Sequence, residues 1–227
     1  MPRKYSLNEN YFETIDTQDK AYWLGFLMGD GSVSNNYLQL HLKNTRENKR
    51  HIEKFLWYLS ANYRLYYRDN YGYSLVGVGI TSNKLTRDLI NHGIVPRKTY
   101  KAIFPIIDEH LNRHFIRGLF DADGCFSQNK ASFVGNRELM EQLEGLFDFL
   151  RIKSKIRQAG ISRAFELGIT HFDNLQPLYE YMYTDATIYL PNKHTKFHNY
   201  IKRGIRRRKK EFKKIKLMNK ENTLPYF

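Results

Sequence analysis

Two short stretches constrain this chain more than anything else in it: Trp23 to Gly31, Trp-Leu-Gly-Phe-Leu-Met-Gly-Asp-Gly, and Ile116 to Gly124, Ile-Arg-Gly-Leu-Phe-Asp-Ala-Asp-Gly. Each is an apolar helical run that stops in Asp-Gly, where the glycine is expected to adopt the left-handed conformation that ends a helix. Gly25 and Gly29 lie four residues apart in the first, as Gly118 and Ala122 do in the second, so each helix carries a stripe of small residues on one face. Two such helices can approach almost backbone to backbone. Side-by-side pairing brings Asp30 and Asp123 together at the helix ends.

That placement is costly for a purely structural protein, because helix C-termini carry partial negative charge and neighbouring carboxylates repel. A divalent cation such as Mg²⁺, which takes hard oxygen ligands, removes the conflict. The repeats also separate the acids: Asp30 and Asp123 match each other, whereas Asp121 is matched by Met28. A lone Asp-Gly is ordinary turn chemistry. Two copies, each closing a small-residue stripe, are not explained by turns.

The remainder of the chain repeats as well. After Gly31, residues Ser32–Ser34 and Tyr37–Lys43 read as a hairpin, with Leu38, Leu40 and Leu42 alternating against Tyr37, Gln39, His41 and Lys43. An amphipathic helix over Asn44–Leu59 follows, capped by Asn44 or Thr45. A second hairpin sets Arg64, Tyr66 and Arg68 on one face and returns through Leu75–Thr81. Ser82 then caps a helix ended by Gly93. The second motif helix begins near Leu111. Beyond it come a strand pair around Phe126 and Phe133, a helix from Asn136, and a strand on which Lys153, Lys155 and Arg157 alternate. The return strand contains Gly168-Ile169-Thr170, the echo of Gly79-Ile80-Thr81, and a helix runs to Tyr183. The connectors recur too, as Pro96-Arg97-Lys98 and Pro191-Asn192-Lys193.

This is a tandem repeat of about 90 residues, too few copies for a solenoid and suited to a pseudo-twofold pair. The predicted organisation is an N-terminal arm (1–19), a first repeat (20–108), a second repeat (109–199) and a basic C-terminal tail (200–227). Asp19 or Thr17 caps the first motif helix. Gly77-Val78-Gly79, inside a strand pattern, marks a bulge or a close approach.

A net charge of +14 points to a polyanionic partner. Cys125 is the single cysteine, which excludes an internal disulfide framework. Without an apolar run of roughly 18 residues or a signal-peptide pattern, the chain reads as soluble and intracellular, with no membrane partner. His110/His114 and His194/His198 have a spacing that suits zinc on a helix, but neither pair has a flanking Cys or a metalloprotease Glu. Beyond His198 the chain is strongly basic, from Lys202 and Arg203 through Arg206–Lys210 to Lys213, Lys214 and Lys216. It is read either as a solvated tail or as an arm that tracks phosphates, with a nuclear localisation signal as a third reading.

Both motif stretches resemble the LAGLIDADG motif of homing endonucleases, and two copies in one chain resemble that family's monomeric members. The first copy departs from the motif at Met28 and Gly29 and keeps the final acid and glycine. The resemblance implies an α+β fold of two pseudo-twofold-related αββαββα repeats, whose saddle-shaped antiparallel sheets lie over double-stranded DNA. It implies that Asp30 and Asp123 hold Mg²⁺, with Mn²⁺ as a substitute, and that the protein makes a double-strand break leaving short 3′ overhangs. Lys98 and Lys193 occupy matched connector positions where the family keeps lysines, so they are the catalytic basic candidates. Lys43 is a second choice; its counterpart by counting in the other repeat is Gly135, so that slot is not symmetric.

The polar faces of the hairpins offer Gln39, His41, Lys43, Arg64, Tyr66, Arg68, Lys153, Lys155 and Arg157 as DNA contacts, suited to reading base edges in the major groove. The alternative function is a catalytically silent nucleic-acid-binding protein, either a splicing maturase that binds intron RNA or a transcription regulator.

Overall fold

The structure is a computed structural model and describes residues 5–70, 72–96, 101–160 and 164–221. The first half runs α1 (Gln18–Asp30), β1 (Gly31–Ser34), β2 (Tyr37–Lys43), α2 (Arg46–Tyr58), β3 (Tyr66–Asn70), β4 (Tyr73–Thr81) and α3 (Asn83–Asn91). The second half repeats that order with α4 (Glu109–Asp123), β5 (Cys125–Ser127), β6 (Lys130–Gly135), α5 (Arg137–Phe149), β7 (Lys155–Gln158), β8 (Phe165–Ile169) and α6 (Phe172–Tyr183). A long helix, α7 (Pro191–Glu221), follows. The fold is α+β, with one four-stranded antiparallel sheet per half, ordered β1-β2-β4-β3 and β5-β6-β8-β7.

Local chemistry sets the helix starts. Thr17, Thr45, Ser82 and Asn136 each accept a backbone N–H from the first turn that follows. Asp19, the other candidate cap for α1, instead accepts the Tyr11 hydroxyl at 2.6 Å. This ties down the N-terminal stretch, where Tyr11 and Phe12 are buried in the core.

The ends of α1 and α4 differ from expectation. Gly31 has φ −76° and ψ 154°, and Gly124 φ −76° and ψ 162°, so both are extended rather than left-handed. Each helix passes directly into a strand. Glycine is required there for space instead: a Cβ would lie 2.7 Å from the Leu27 carbonyl oxygen at Gly31, and 2.5 Å from that of Phe120 at Gly124.

Each sheet buries one face. In the first, Leu38, Leu40, Val76, Val78 and Ile80 point into the core under α2 and α3. In the second, Ala131, Phe133, Leu167 and Ile169 do the same, and Phe133 packs between Phe120 of α4 and Phe147 of α5. Gln39, His41, Tyr66, Arg68, Lys155 and Arg157 alternate with those core positions and so lie on the opposite, outer faces. The predicted alternation runs slightly past two strands: Arg64 precedes β3 and Lys153 precedes β7. Neither is paired in the sheet, and the Lys153 N–H is held by the Asn174 side chain.

Candidate active site

The site begins with the pairing of α1 and α4. A Cβ on Gly25 would sit 2.0 Å from the carbonyl oxygen of Phe115, and one on Gly118 would sit 1.9 Å from that of Tyr22. The contact is reciprocal, because Tyr22 and Phe115 occupy the same place in the two motifs. Toward the C-terminal end, Gly29 faces Ala122, where an added Cβ would lie 2.4 Å from the Ala122 methyl and 3.1 Å from Oδ2 of Asp123. The helices meet backbone to backbone along Gly25, Gly29, Gly118 and Ala122. Their final residues, half-buried Asp30 and exposed Asp123, come out at the same end of the seam.

Lys193, in the first turn of α7, reaches this end. Its ammonium donates to the carbonyl oxygens of Phe120 at 3.0 Å and Ala122 at 2.7 Å, capping the last turn of α4. Burial holds its pKa below the ordinary lysine value, while the carboxylates of Asp121, Asp30 and Asp123 oppose that shift. Its ammonium is therefore fixed at the last turn of α4, within electrostatic reach of both motif acids. Lys98, its predicted counterpart, lies outside the described residues. Lys43 ends β2, three residues beyond the Leu40 that pairs with Gly31, and is exposed.

Asp121 has a different place. It is buried, accepting the Leu190 N–H at 2.6 Å and the hydroxyls of Tyr22 at 2.9 Å and Tyr183 at 3.1 Å. Burial pushes its pKa up to about 6 against the pull of those donors. One turn earlier, fully buried Arg117 donates to the carbonyls of Ile188 and Met182, both at 2.8 Å. Together they fasten the segment leading into α7, and hence Lys193, onto α4. Sequence reasoning set Asp121 aside and did not single out Tyr22, Arg117 or Tyr183. The usable signal was a carboxylate and a guanidinium four residues apart inside an apolar helix.

The outer faces hold further side chains, of which the sequence reading did not single out Tyr37 or Lys130. Tyr37 lies across Gly79, where a Cβ would meet its hydroxyl oxygen, and Tyr66 lies across Gly77 while accepting a 2.8 Å bond from Gln39. Gly77 and Gly79 thus mark a close approach, and the register across β2 and β4 has no bulge. Lys130 occupies the matched place over Gly168 and pairs with Glu166 at 2.6 Å. That lysine is the main influence holding Glu166 below its ordinary pKa. Three of the paired histidines are held by neighbours: Tyr179 bonds both His194 and His198, and His114 bonds Arg117, while His110 is exposed. Among the described residues no helix is long and apolar enough to cross a membrane.

Residues 110–182 match the LAGLIDADG-like domain family. The I-SmaMI LAGLIDADG homing endonuclease bound to cleaved DNA is similar in structure at TM-score 0.59 and 13% identity, over 87% of this chain and 92% of that one. An I-DmoI double variant in complex with its target DNA nicked in the coding strand, in the presence of Mn, gives TM-score 0.54 and 17% identity over 80% and 99%. Full-length DUF199/WhiA from Thermatoga maritima gives TM-score 0.54 and 15% identity over 95% and 72%. At these identities the structural likeness is one of fold. No curated protein matches the chain by sequence. The second half of the chain thus carries a LAGLIDADG-like domain, and the first half, joined to it through Gly25 and Gly118, repeats the same order of elements.

Proposed function

We propose that this protein is a site-specific, divalent-metal-dependent endonuclease that reads a long duplex with the outer faces of its two sheets and cuts both strands at the helix seam. The observation that carries this reading is the placement of Lys193, bonded to the last carbonyls of α4 and within electrostatic reach of Asp30 and Asp123. A structural seam has no use for two acids at adjoining helix ends with a partly desolvated lysine beside them.

The donor set fits Mg²⁺. Two carboxylates from separate helices are hard oxygen donors, and Mg²⁺ is commonly held by one or two carboxylates with water and substrate phosphate completing its shell. Asp30 and Asp123 would hold the ion, and Mn²⁺ would substitute. When bound, the cation supplies charge neutralisation at the scissile phosphates and lowers the pKa of water. Lys193 contributes a fixed positive charge toward the phosphate, held in place by its carbonyls and offering its third N–H. Lys98 is assigned the matched role in the first half, and Lys43 is the reserve there.

Gln39, His41, Arg64, Tyr66, Arg68, Lys153, Lys155 and Arg157 contact the duplex. The protein acts as a single chain whose internal pseudo-twofold supplies one acid per strand. The predicted organisation, with its arm, two repeats and tail, is retained.

The test is incubation with a library of source DNA in Mg²⁺, followed by sequencing of new ends. Recurrent paired ends at one sequence, lost in Asp30→Asn and in Asp123→Asn while duplex binding persists, are the expected result. Binding with no cutting in Mg²⁺ or Mn²⁺ would overturn the nuclease in favour of a regulator. Stimulated splicing of an intron RNA without a DNA cut would overturn it in favour of a maturase.

A further inference from the structure

Between Lys202 and Lys214 the chain carries nine cations and a single acid, Glu211. The whole stretch lies in one continuous helix, α7. Its base is anchored: Phe197 is buried and stacks on Phe126 at 4.3 Å, and Gly204 lies against the Phe172 ring. Arg208 sits over that ring at 4.5 Å and pairs with Asp173 at 2.6 Å. Phe212, one turn further on the same side, is 70% exposed. The helix therefore leaves the body past Arg208.

The charges are ordered on the arm. Lys202, Arg206, Lys209 and Lys213 are spaced four, three and four residues apart, which places them in one row along the helix. Each is followed by a second cation, forming an adjacent row about 100° around the axis. All eight side chains are exposed. Arg208, outside both rows, is the one that turns back to the body.

Like charges three and four residues apart repel along a helix. Little packing offsets this beyond Arg208. Such a double row is complementary to a regular line of phosphates, and its position suits one: Arg203 and Arg207 border a groove with Asn129, at the tip of the β5–β6 hairpin. That hairpin's outer face continues the proposed DNA surface.

We propose that the α7 arm binds the phosphate backbone of duplex DNA without regard to sequence, as a second contact beyond the surface that reads the target. The proposal rests on the DNA-binding part of the functional reading and needs no cleavage. Neutralised by phosphates, the arm gains helix, and each phosphate contacted adds about 0.9 to the salt dependence of binding.

The test uses the full-length chain and a 30-base-pair duplex of arbitrary sequence, with Arg206→Gln, Lys209→Gln, Lys210→Gln and Lys213→Gln combined. All four positions are exposed, so the body keeps its fold. The slope of log Kobs against log salt should become shallower by about 3.6. The gain in far-UV helical signal on adding DNA should also disappear. An unchanged slope in the combined variant would overturn the arm proposal alone. Failure of the unaltered protein to bind any duplex would overturn the DNA reading itself. Tighter arm-dependent binding to single-stranded RNA than to duplex would overturn the choice of partner.

Discussion

The hydroxyl of Tyr22 donates to Oδ2 of Asp121 at 2.9 Å, while Nε2 of His51 stands 3.0 Å from the Tyr22 hydroxyl oxygen. Because the hydroxyl proton goes to the carboxylate, the imidazole must be the donor on the other side. One buried chain of bonds thus crosses from α2 through α1 into α4. It has no mirror image, since Phe115 and Met28 occupy the places matching Tyr22 and Asp121.

Replacing Tyr22 with Phe removes the middle of this chain and leaves a buried imidazole and a buried carboxylate each short of a partner. The expected cost is about 1–3 kcal/mol. Urea denaturation at pH 7 measures it. Removing Asp121 in the same protein should cost less than the two single changes added together, because the groups share bonds.

The pH dependence separates the two ends. Asp121 has its pKa raised from 3.8 to about 6 by burial, so its stabilising contribution is present below pH 4 and lost as pH rises through 6. His51 is lowered from 6.5 to about 3 by burial and then by Lys54, so its contribution is present above pH 6.5 and lost as pH falls toward 3. Asp121→Asn removes the first and leaves the second. The stability lost on that substitution should therefore shrink by about 2 kcal/mol between pH 4 and pH 7. Paired urea titrations at the two pH values give the difference directly, with His51 cancelling.

At the seam, Gly118→Ala adds one methyl where the Tyr22 carbonyl oxygen stands 1.9 Å away. Backbone cannot yield as a side-chain tip can, so the helices must part. A loss of about 3 kcal/mol or more is expected, at the upper end for overpacking. Gly25→Ala should behave alike, and Gly145→Ala, at a helix position with open space, should leave the thermal midpoint unchanged or raised. Thermal unfolding of the three variants checks the ranking.

The seam was legible in the sequence because small residues four apart have one geometric consequence, and hairpin alternation was legible for the same reason. The conformation of Gly31 and Gly124 was not. Asp-Gly after a helix equally suits a left-handed turn or a direct exit into a strand, and contact with Leu27 and Phe120 decides. Nor was the role of Asp121: its partners come from α1, α6 and the segment before α7, so no local pattern contains them. Lys193 was singled out through the repeated connector, but its grip on the α4 carbonyls depends on where α7 starts.

Lys193→Met keeps the length of the side chain and removes its charge. If the lysine serves the phosphate, cutting should slow by about 10²-fold or more, the scale for losing one fixed donor at a developing charge. Binding to the same DNA in Ca²⁺ should change less than threefold. The variant also leaves the Phe120 and Ala122 carbonyls without this donor, at about 1 kcal/mol of stability. Equal losses of binding and cutting would instead mark Lys193 as a helix cap and nothing more.

Gly79 and Gly168 lie at matched places on the two outer faces, the first beneath Tyr37 and the second beneath Lys130. An alanine at either meets the far part of a long side chain rather than backbone, so the side chain swings away at little cost to the fold. Gly79→Ala is expected to change stability by less than about 1 kcal/mol, as for substitutions outside the core, while moving an aromatic ring off the first sheet. Gly168→Ala shifts an ammonium and loosens its pair with Glu166 on the second. If the outer faces read DNA, the first variant should alter base preference in one half of the target and the second in the other half. Selection of bound sequences from a randomised duplex library scores both halves at once. Identical preference profiles for both variants and the parent protein would remove the outer faces from target recognition.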